Sequence, residues 1–160
     1  MVADNQQERL NNYWLSGFVD GEGCFYVGIN KNSKMKTGFQ ILPEFRLVQH
    51  KRDIDLLYAI QKHLNIGVVR RNHGDRYELR VRKLSELKEL INFFKKYPLK
   101  SKKQLDFVDF SEVINLLQQN IHFSEKGINK IKKISNKMNR KRLIVQNPQR
   151  LHAENKTKFC

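Results

Sequence analysis

The chain has 160 residues, with 31 Lys plus Arg against 16 Asp plus Glu and a net charge of +15. That length suits one domain of about 100–200 residues, and no stretch approaches the roughly 18 uninterrupted apolar residues of a membrane span. With 39% hydrophobic residues the composition excludes a disordered chain, and the charge excess points to a polyanionic partner, nucleic acid being the commonest.

In chain order, Met1–Glu8 is polar and mildly acidic, unlike a signal or transit peptide. Leu10, Tyr13, Trp14, Gly17, Phe18 and Gly21 recur at three- and four-residue steps, which predicts a helix over residues 6–21 with Gly23 as a left-handed stop. Period two follows: Phe25, Val27 and Ile29 alternate with Tyr26, Gly28 and Asn30. The alternation resumes after the basic loop 31–38, with Phe39, Ile41, Phe45 and Leu47 on one side and Gln40, Leu42, Glu44 and Arg46 on the other. The pair is a β-hairpin, with Pro43 marking an edge or a bulge.

Asp53 can cap a helix whose face is Ile54, Leu57, Tyr58 and Leu64. Residues 67–71 and 77–82 form a second hairpin turned at Asn72–Asp75. Ser85 can cap a helix carrying Leu87, Leu90, Ile91 and Phe94, which Pro98 ends. Ser101 and Gln104 fit a capping box for a helix with Phe107, Phe110, Ile114 and Leu117 on one side. Ser124 starts a last helix, 125–142, with Ile128, Ile131, Ile134 and Met138 inside and a basic remainder: Lys126, Lys130, Lys132, Lys133, Lys137, Arg140, Lys141 and Arg142. Residues 146–160 lose periodicity and read as a tail. The order α-β-β-α-β-β-α plus further helix predicts an α+β domain over 1–145 with a four-stranded antiparallel sheet and C-terminal helices.

Cys24 and Cys160 allow at most one bridge, so no disulfide framework and a reducing, intracellular compartment are expected. The histidines lack zinc spacing. Lys and Asn, 20 and 15 residues, have AT-rich codons, as in an organelle genome.

Two places carry chemistry. The first is the outward face of the sheet, with Asn30, Gln40, Arg46, Arg70, Asn72, Glu78, Arg80 and Arg82. Arg reads guanine, and Asn or Gln reads adenine, by bidentate bonds in the major groove. An ordinary solvated face is the alternative. The second is Leu15–Gly23, LSGFVDGEG. Gly17 and Gly21 share a helix face, and each weakens a helix by about 1 kcal/mol relative to Ala. Two glycines on one face suit close approach of another backbone, from this chain or from a second copy. Asp20 and Glu22 stand at the helix C-terminus, where the dipole disfavours carboxylates by roughly 0.3–1 kcal/mol each. Lys102 and Lys103 stand at a helix start, where cations are disfavoured and anions are welcome. A hard divalent ion touching a phosphate relieves both conflicts, whereas a local hydrogen bond at Asp20 and a surface carboxylate at Glu22 are the plainer readings.

This segment, the element order and Pro98–Gln104 together resemble the LAGLIDADG homing endonucleases over roughly residues 8–120. The resemblance implies a site-specific double-stranded DNA endonuclease that hydrolyses one phosphodiester per strand of a long, near-palindromic target and promotes intron mobility. It implies a homodimer packed through Gly17, Phe18, Asp20 and Gly21, since only one motif is present. Glu22 corresponds to the ligand of Mg²⁺ (or another divalent ion such as Mn²⁺), Gly21 lends its carbonyl, and Asp20 corresponds to a structural acid. Gln49, just after the second strand, corresponds to a residue that positions water. Lys102, or Lys103 beside it, corresponds to the basic residue at the scissile phosphate, with Arg52 a further candidate. DNA contacts are expected from the outward set together with Asn32, Lys34, Lys36, Glu44 and Lys103. Neither a membrane nor a small-molecule cofactor is implied. The alternatives are an RNA maturase that assists splicing without cutting DNA, and a basic structural protein of a ribonucleoprotein.

Overall fold

A computed structural model describes residues 10–142. The helix α1 spans Asn12–Glu22, followed by β1 (Gly23–Lys31), β2 (Phe39–His50), α2 (Ile54–Leu64), β3 (Val68–His73), β4 (Arg76–Val81), α3 (Leu84–Lys96), α4 (Lys103–Gln118) and α5 (Glu125–Asn136). The strands form one antiparallel sheet in the order β1-β2-β4-β3. The predicted element order and fold class are therefore those observed.

The described chain divides into two compact units, one from the residues up to Gly23 with Phe45–Ser101, the other from Cys24–Glu44 with the residues from Lys102 on. In the first, Leu15 of α1, Leu47 of β2, Leu57 and Ile60 of α2, Leu79 of β4 and Leu87, Leu90 and Phe94 of α3 are fully buried. Phe45 packs on Phe94 with ring centroids 6.3 Å apart. In the second, Phe25 of β1 meets Phe107 and Phe110 of α4 at 5.5 and 5.4 Å, and Ile128, Ile131 and Ile134 of α5 complete the apolar set. These are the apolar stripes that the periodicity marks.

The boundaries differ where local chemistry overrides pattern. Helix α1 begins at Asn12, because the Asn11 side chain accepts from the backbone N–H of Tyr13 and Trp14; the expected start at residue 6 lies outside the described residues. Gly23 is extended rather than left-handed, and it opens β1. Its need is closeness: a Cβ there would meet Val19 Cγ1 at 2.6 Å and the Val19 carbonyl at 2.9 Å.

Pro43 lies in β2 ahead of its pairing with β4, so that stretch is open on the β4 side, as an edge position. The β2–β4 register begins at Phe45, so the missing donor falls outside that ladder. Asp53 makes no side-chain cap for α2; its carboxylate takes Arg52 Nε at 3.3 Å. Tyr58 is exposed, and Leu57 with Ile60 forms the buried face of α2. Lys83, not Ser85, precedes α3. Lys102, not Ser101, precedes α4, because Ser101 is bonded elsewhere. Ser124 does cap α5, accepting from Gly127 N–H at 3.0 Å, but α5 ends at Asn136, short of residue 142. Cys24 is buried at the start of β1. The predicted tail, with Cys160, lies outside the described residues. Among the described residues, no helix is long and apolar enough to cross a membrane.

Candidate active site and nucleic-acid interface

Helix α1 has two opposed faces. Leu15, Ser16 and Val19 are buried, and Ser16 Oγ donates to the Tyr97 carbonyl at 2.7 Å. Trp14, Gly17, Phe18 and Gly21 fall on a second stripe at three- and four-residue steps. Trp14 is 44% exposed and stacks on Phe18 at 5.0 Å. A Cβ at Gly17 or Gly21 would meet nothing within 4 Å. Among the described residues, nothing gives a steric reason for either glycine.

At the end of α1 the two acids separate. Asp20 Oδ2 accepts from Lys100 N–H at 2.7 Å; Oδ1 accepts from Ser101 N–H at 3.1 Å and Ser101 Oγ at 2.6 Å. Asp20 is the local hydrogen-bonding acid of the plainer reading, and its three donors also outweigh the helix-dipole penalty. Glu22 is exposed and forms no hydrogen bond or ion pair among the described residues. Lys102 is exposed and directly follows Ser101, the residue that Asp20 holds; Lys103 is half-buried and opens α4. Gln49 lies within β2 rather than after it, opposite Tyr77. By alternation it shares the side of Phe45 and Leu47, not that of Arg46. Arg52 is exposed and pairs with Asp53.

The expected reading face is unevenly available. Asn30, Lys34, Lys36, Arg70, Asn72 and Arg82 are exposed. Asn32 and Gln40 are half-buried and hydrogen-bonded to each other at 3.4 Å. Glu44 and Arg46 are half-buried, and Arg46 stands opposite Arg80 across β2 and β4. Glu78 is 3% exposed. Its Oε1 lies 3.0 Å from Arg70 Nε and 3.8 Å from Arg80 Nη1, and its Oε2 accepts from Asn72 Nδ2 at 3.1 Å.

The basic face of α5 is smaller than composition suggests. Lys130 pairs with Glu112 at 2.8 Å and Lys137 with Asp109 at 2.9 Å. Lys132 lies over the Phe39 ring at 3.5 Å. Arg142 binds Asp106 at 3.0 Å and also Asp109. Burial works to lower the pKa of Arg142, but Asp109 and Asp106 outweigh it and hold the guanidinium above its ordinary value. These cations serve the fold of their own unit, while Lys126 and Lys133 remain exposed.

Residues 15–114 match the family model described as LAGLIDADG endonuclease. The chain belongs to the LAGLIDADG endonuclease family. It is 51% identical to the crystal structure of a homing endonuclease, I-TnaI, with a TM-score of 0.79, over 86% of this chain and 97% of that one. It is 36% identical to I-LtrWI, a LAGLIDADG homing endonuclease solved bound to target DNA, over 82% of this chain and 45% of that one, with a TM-score of 0.79. A probable intron-encoded endonuclease 3 of Neurospora crassa is 33% identical over 84% of this chain and 26% of its own length. The chain thus spans about a quarter of that curated relative.

Within this LAGLIDADG chain, sequence reasoning missed the backbone donors of Lys100 and Ser101 and the enclosure of Glu78. The first left no signal, because backbone N–H groups are present at every non-proline residue. The second left one: Glu78 alternates with Arg76, Arg80 and Arg82 on one strand.

Proposed function

We propose that this chain is a divalent-metal-dependent, site-specific endonuclease of double-stranded DNA that acts as a homodimer, cuts one phosphodiester on each strand of a near-palindromic target, and serves intron mobility in an organelle genome. The observation that carries the reading is α1: an open glycine and aromatic stripe ending in an exposed acid. A second copy packed on Trp14, Gly17, Phe18 and Gly21 covers that stripe and adds its own Glu22. The two-fold axis gives two equivalent half-sites, hence the near-palindrome.

The donors present fit half of a divalent site. Glu22 and the Gly21 carbonyl are hard oxygen ligands on exposed residues. Among the described residues, no group of three or more His, Cys, Asp or Glu could hold an ion, so the remaining ligands come from the second copy, phosphate and water. When bound, Mg²⁺ or Mn²⁺ supplies a lowered water pKa and charge neutralisation at the leaving oxygen. The chain's own residues do the rest. Gln49 orients the attacking water through its amide. Lys102 offsets the charge that builds on the scissile phosphate. Asp20 fixes the segment that leads into Lys102.

The relatives' names support this reading, as does the net charge, and the intron-encoded name of the Neurospora crassa relative supports a role at introns. The test is cleavage of DNA carrying the intronless insertion sequence, in Mg²⁺ and in EDTA. Cleavage in Mg²⁺ alone, lost in Glu22→Gln, is the expected result. Tight binding without cleavage contradicts the endonuclease reading and favours a binding-only role.

A further inference from the structure

Glu78 is a carboxylate on the outward side of β4, where a phosphate-bearing partner would meet a like charge. It is 3% exposed, and an unengaged buried carboxylate is costly. Three side chains from two strands engage it. Arg70 stands directly opposite Glu78 in the β3–β4 register and touches Oε1 through Nε at 3.0 Å. Arg80, two residues along the same strand, lies 3.8 Å from Oε1.

Asn72 completes the set by a different route. The register slips between Arg71 and His73, which makes Asn72 the extra residue of a β-bulge. Bulges re-aim side chains, and this one brings Asn72 Nδ2 to Oε2 at 3.1 Å. A carboxylate only accepts, so the amide must turn its NH₂ inward and present Oδ1 elsewhere. One buried acid therefore fixes the rotamer of an arginine and the flip of an asparagine, the residue types that read guanine and adenine. Long side chains lose about 2 kcal/mol of rotamer freedom when ordered; Glu78 imposes that order before DNA arrives.

We propose that Glu78 is a positioning residue for sequence readout, holding Arg70, Asn72 and Arg80 in their base-reading poses without touching DNA itself. This rests on the DNA-binding reading above and revises the expectation that Glu78 contacts bases. It separates two properties that a plain contact residue would couple. Glu78→Gln keeps the shape and removes one negative charge, so affinity for arbitrary duplex DNA holds or rises. Preference at the base pairs read by Arg70 and Asn72 falls, by about tenfold for a lost bidentate pair.

The experiment selects bound sequences from a random double-stranded oligonucleotide library with the wild-type protein, Glu78→Gln, Arg70→Lys and Asn72→Ala, and follows thermal unfolding of each. The expected result is loss of preference in Glu78→Gln at the same few positions that Arg70→Lys and Asn72→Ala relax, with other positions intact. Should Glu78→Gln fail to fold, the exposed Asn72→Ala carries the test, because it must relax positions that Arg70→Lys also relaxes. A Glu78→Gln protein that selects the wild-type sequence overturns the proposal, and so does one that loses preference evenly at every position. A wild-type protein that selects no sequence overturns the underlying DNA reading as well, which sets that failure apart.

Discussion

Replacing Asp20 by Asn removes a carboxylate that holds three donors on Lys100 and Ser101. Asn has one acceptor oxygen. If it keeps the two Ser101 bonds, its NH₂ faces the Lys100 N–H, and that bond is lost. Hydrogen bonds to charged groups contribute about 1.5–3 kcal/mol, and solvent access here argues for the lower end. The two surviving bonds lose their charge assistance, while relief of the helix dipole returns about 0.5 kcal/mol. The net is a loss of about 1–2 kcal/mol. For a chain of this size that lowers the thermal midpoint by about 2–8 °C. Ser101→Ala alone should cost about 1 kcal/mol and much less in the Asp20→Asn background, since both touch one bond. Thermal denaturation of the four proteins measures the cycle. Because the segment leads into Lys102, the cleavage rate should fall further than DNA affinity. An unchanged midpoint in Asp20→Asn, or strict additivity with Ser101→Ala, refutes the clamp.

Two further outcomes follow from the same structure. Gly17→Leu leaves the single chain as stable or more stable, because no atom of the described residues lies within 4 Å of a Cβ there and leaving glycine gains about 1 kcal/mol in a helix; it should nevertheless be monomeric by sedimentation and inactive, and a fully active dimer contradicts the interface. His122 is partly buried, its Nδ1 has no hydrogen-bond partner among the described residues, and burial lowers its pKa below 6.5. The unfolded chain then binds the proton first, so wild-type stability declines as pH falls below about 6.5. Denaturant unfolding at pH 8 and 5.5 should show a shallower decline in His122→Asn, and equal declines contradict the assignment.

Among the described residues, alternation and helical period located the five α-helices and four strands, though not the 3-10 turns Lys51–Asp53 and Ile121–Phe123, because burial of one face is what those patterns encode. Caps were less legible: Ser124 caps α5 as expected, but Asp53, Ser85 and Ser101 do not cap their helices. Ser85 and Ser101 are cap-type residues by local rule, yet Ser101 is drawn away by Asp20, 81 residues distant in sequence. Asp20 and Glu22 are told apart in sequence as a locally bonded acid and a surface carboxylate, but only the fold names Lys100 and Ser101 as the donors. Charge was legible as a total but not in its distribution. Lys130, Lys137 and Arg142 are spent on Glu112, Asp109 and Asp106, pairings that depend on how α4 meets the residues after it. The open side of α1 was legible as Gly17 and Gly21, since small residues at that spacing have no other local use.

The central claim is that each copy supplies half of one cutting site through its Glu22. The most direct measurement mixes wild-type and Glu22→Gln copies under separate tags, isolates the mixed dimer, and follows supercoiled plasmid bearing the target in Mg²⁺. Wild-type dimers should give linear DNA, Glu22→Gln dimers should leave it supercoiled, and mixed dimers should cut at most one strand, giving nicked circles or none. Linear DNA from the mixed dimer at the wild-type rate contradicts the account.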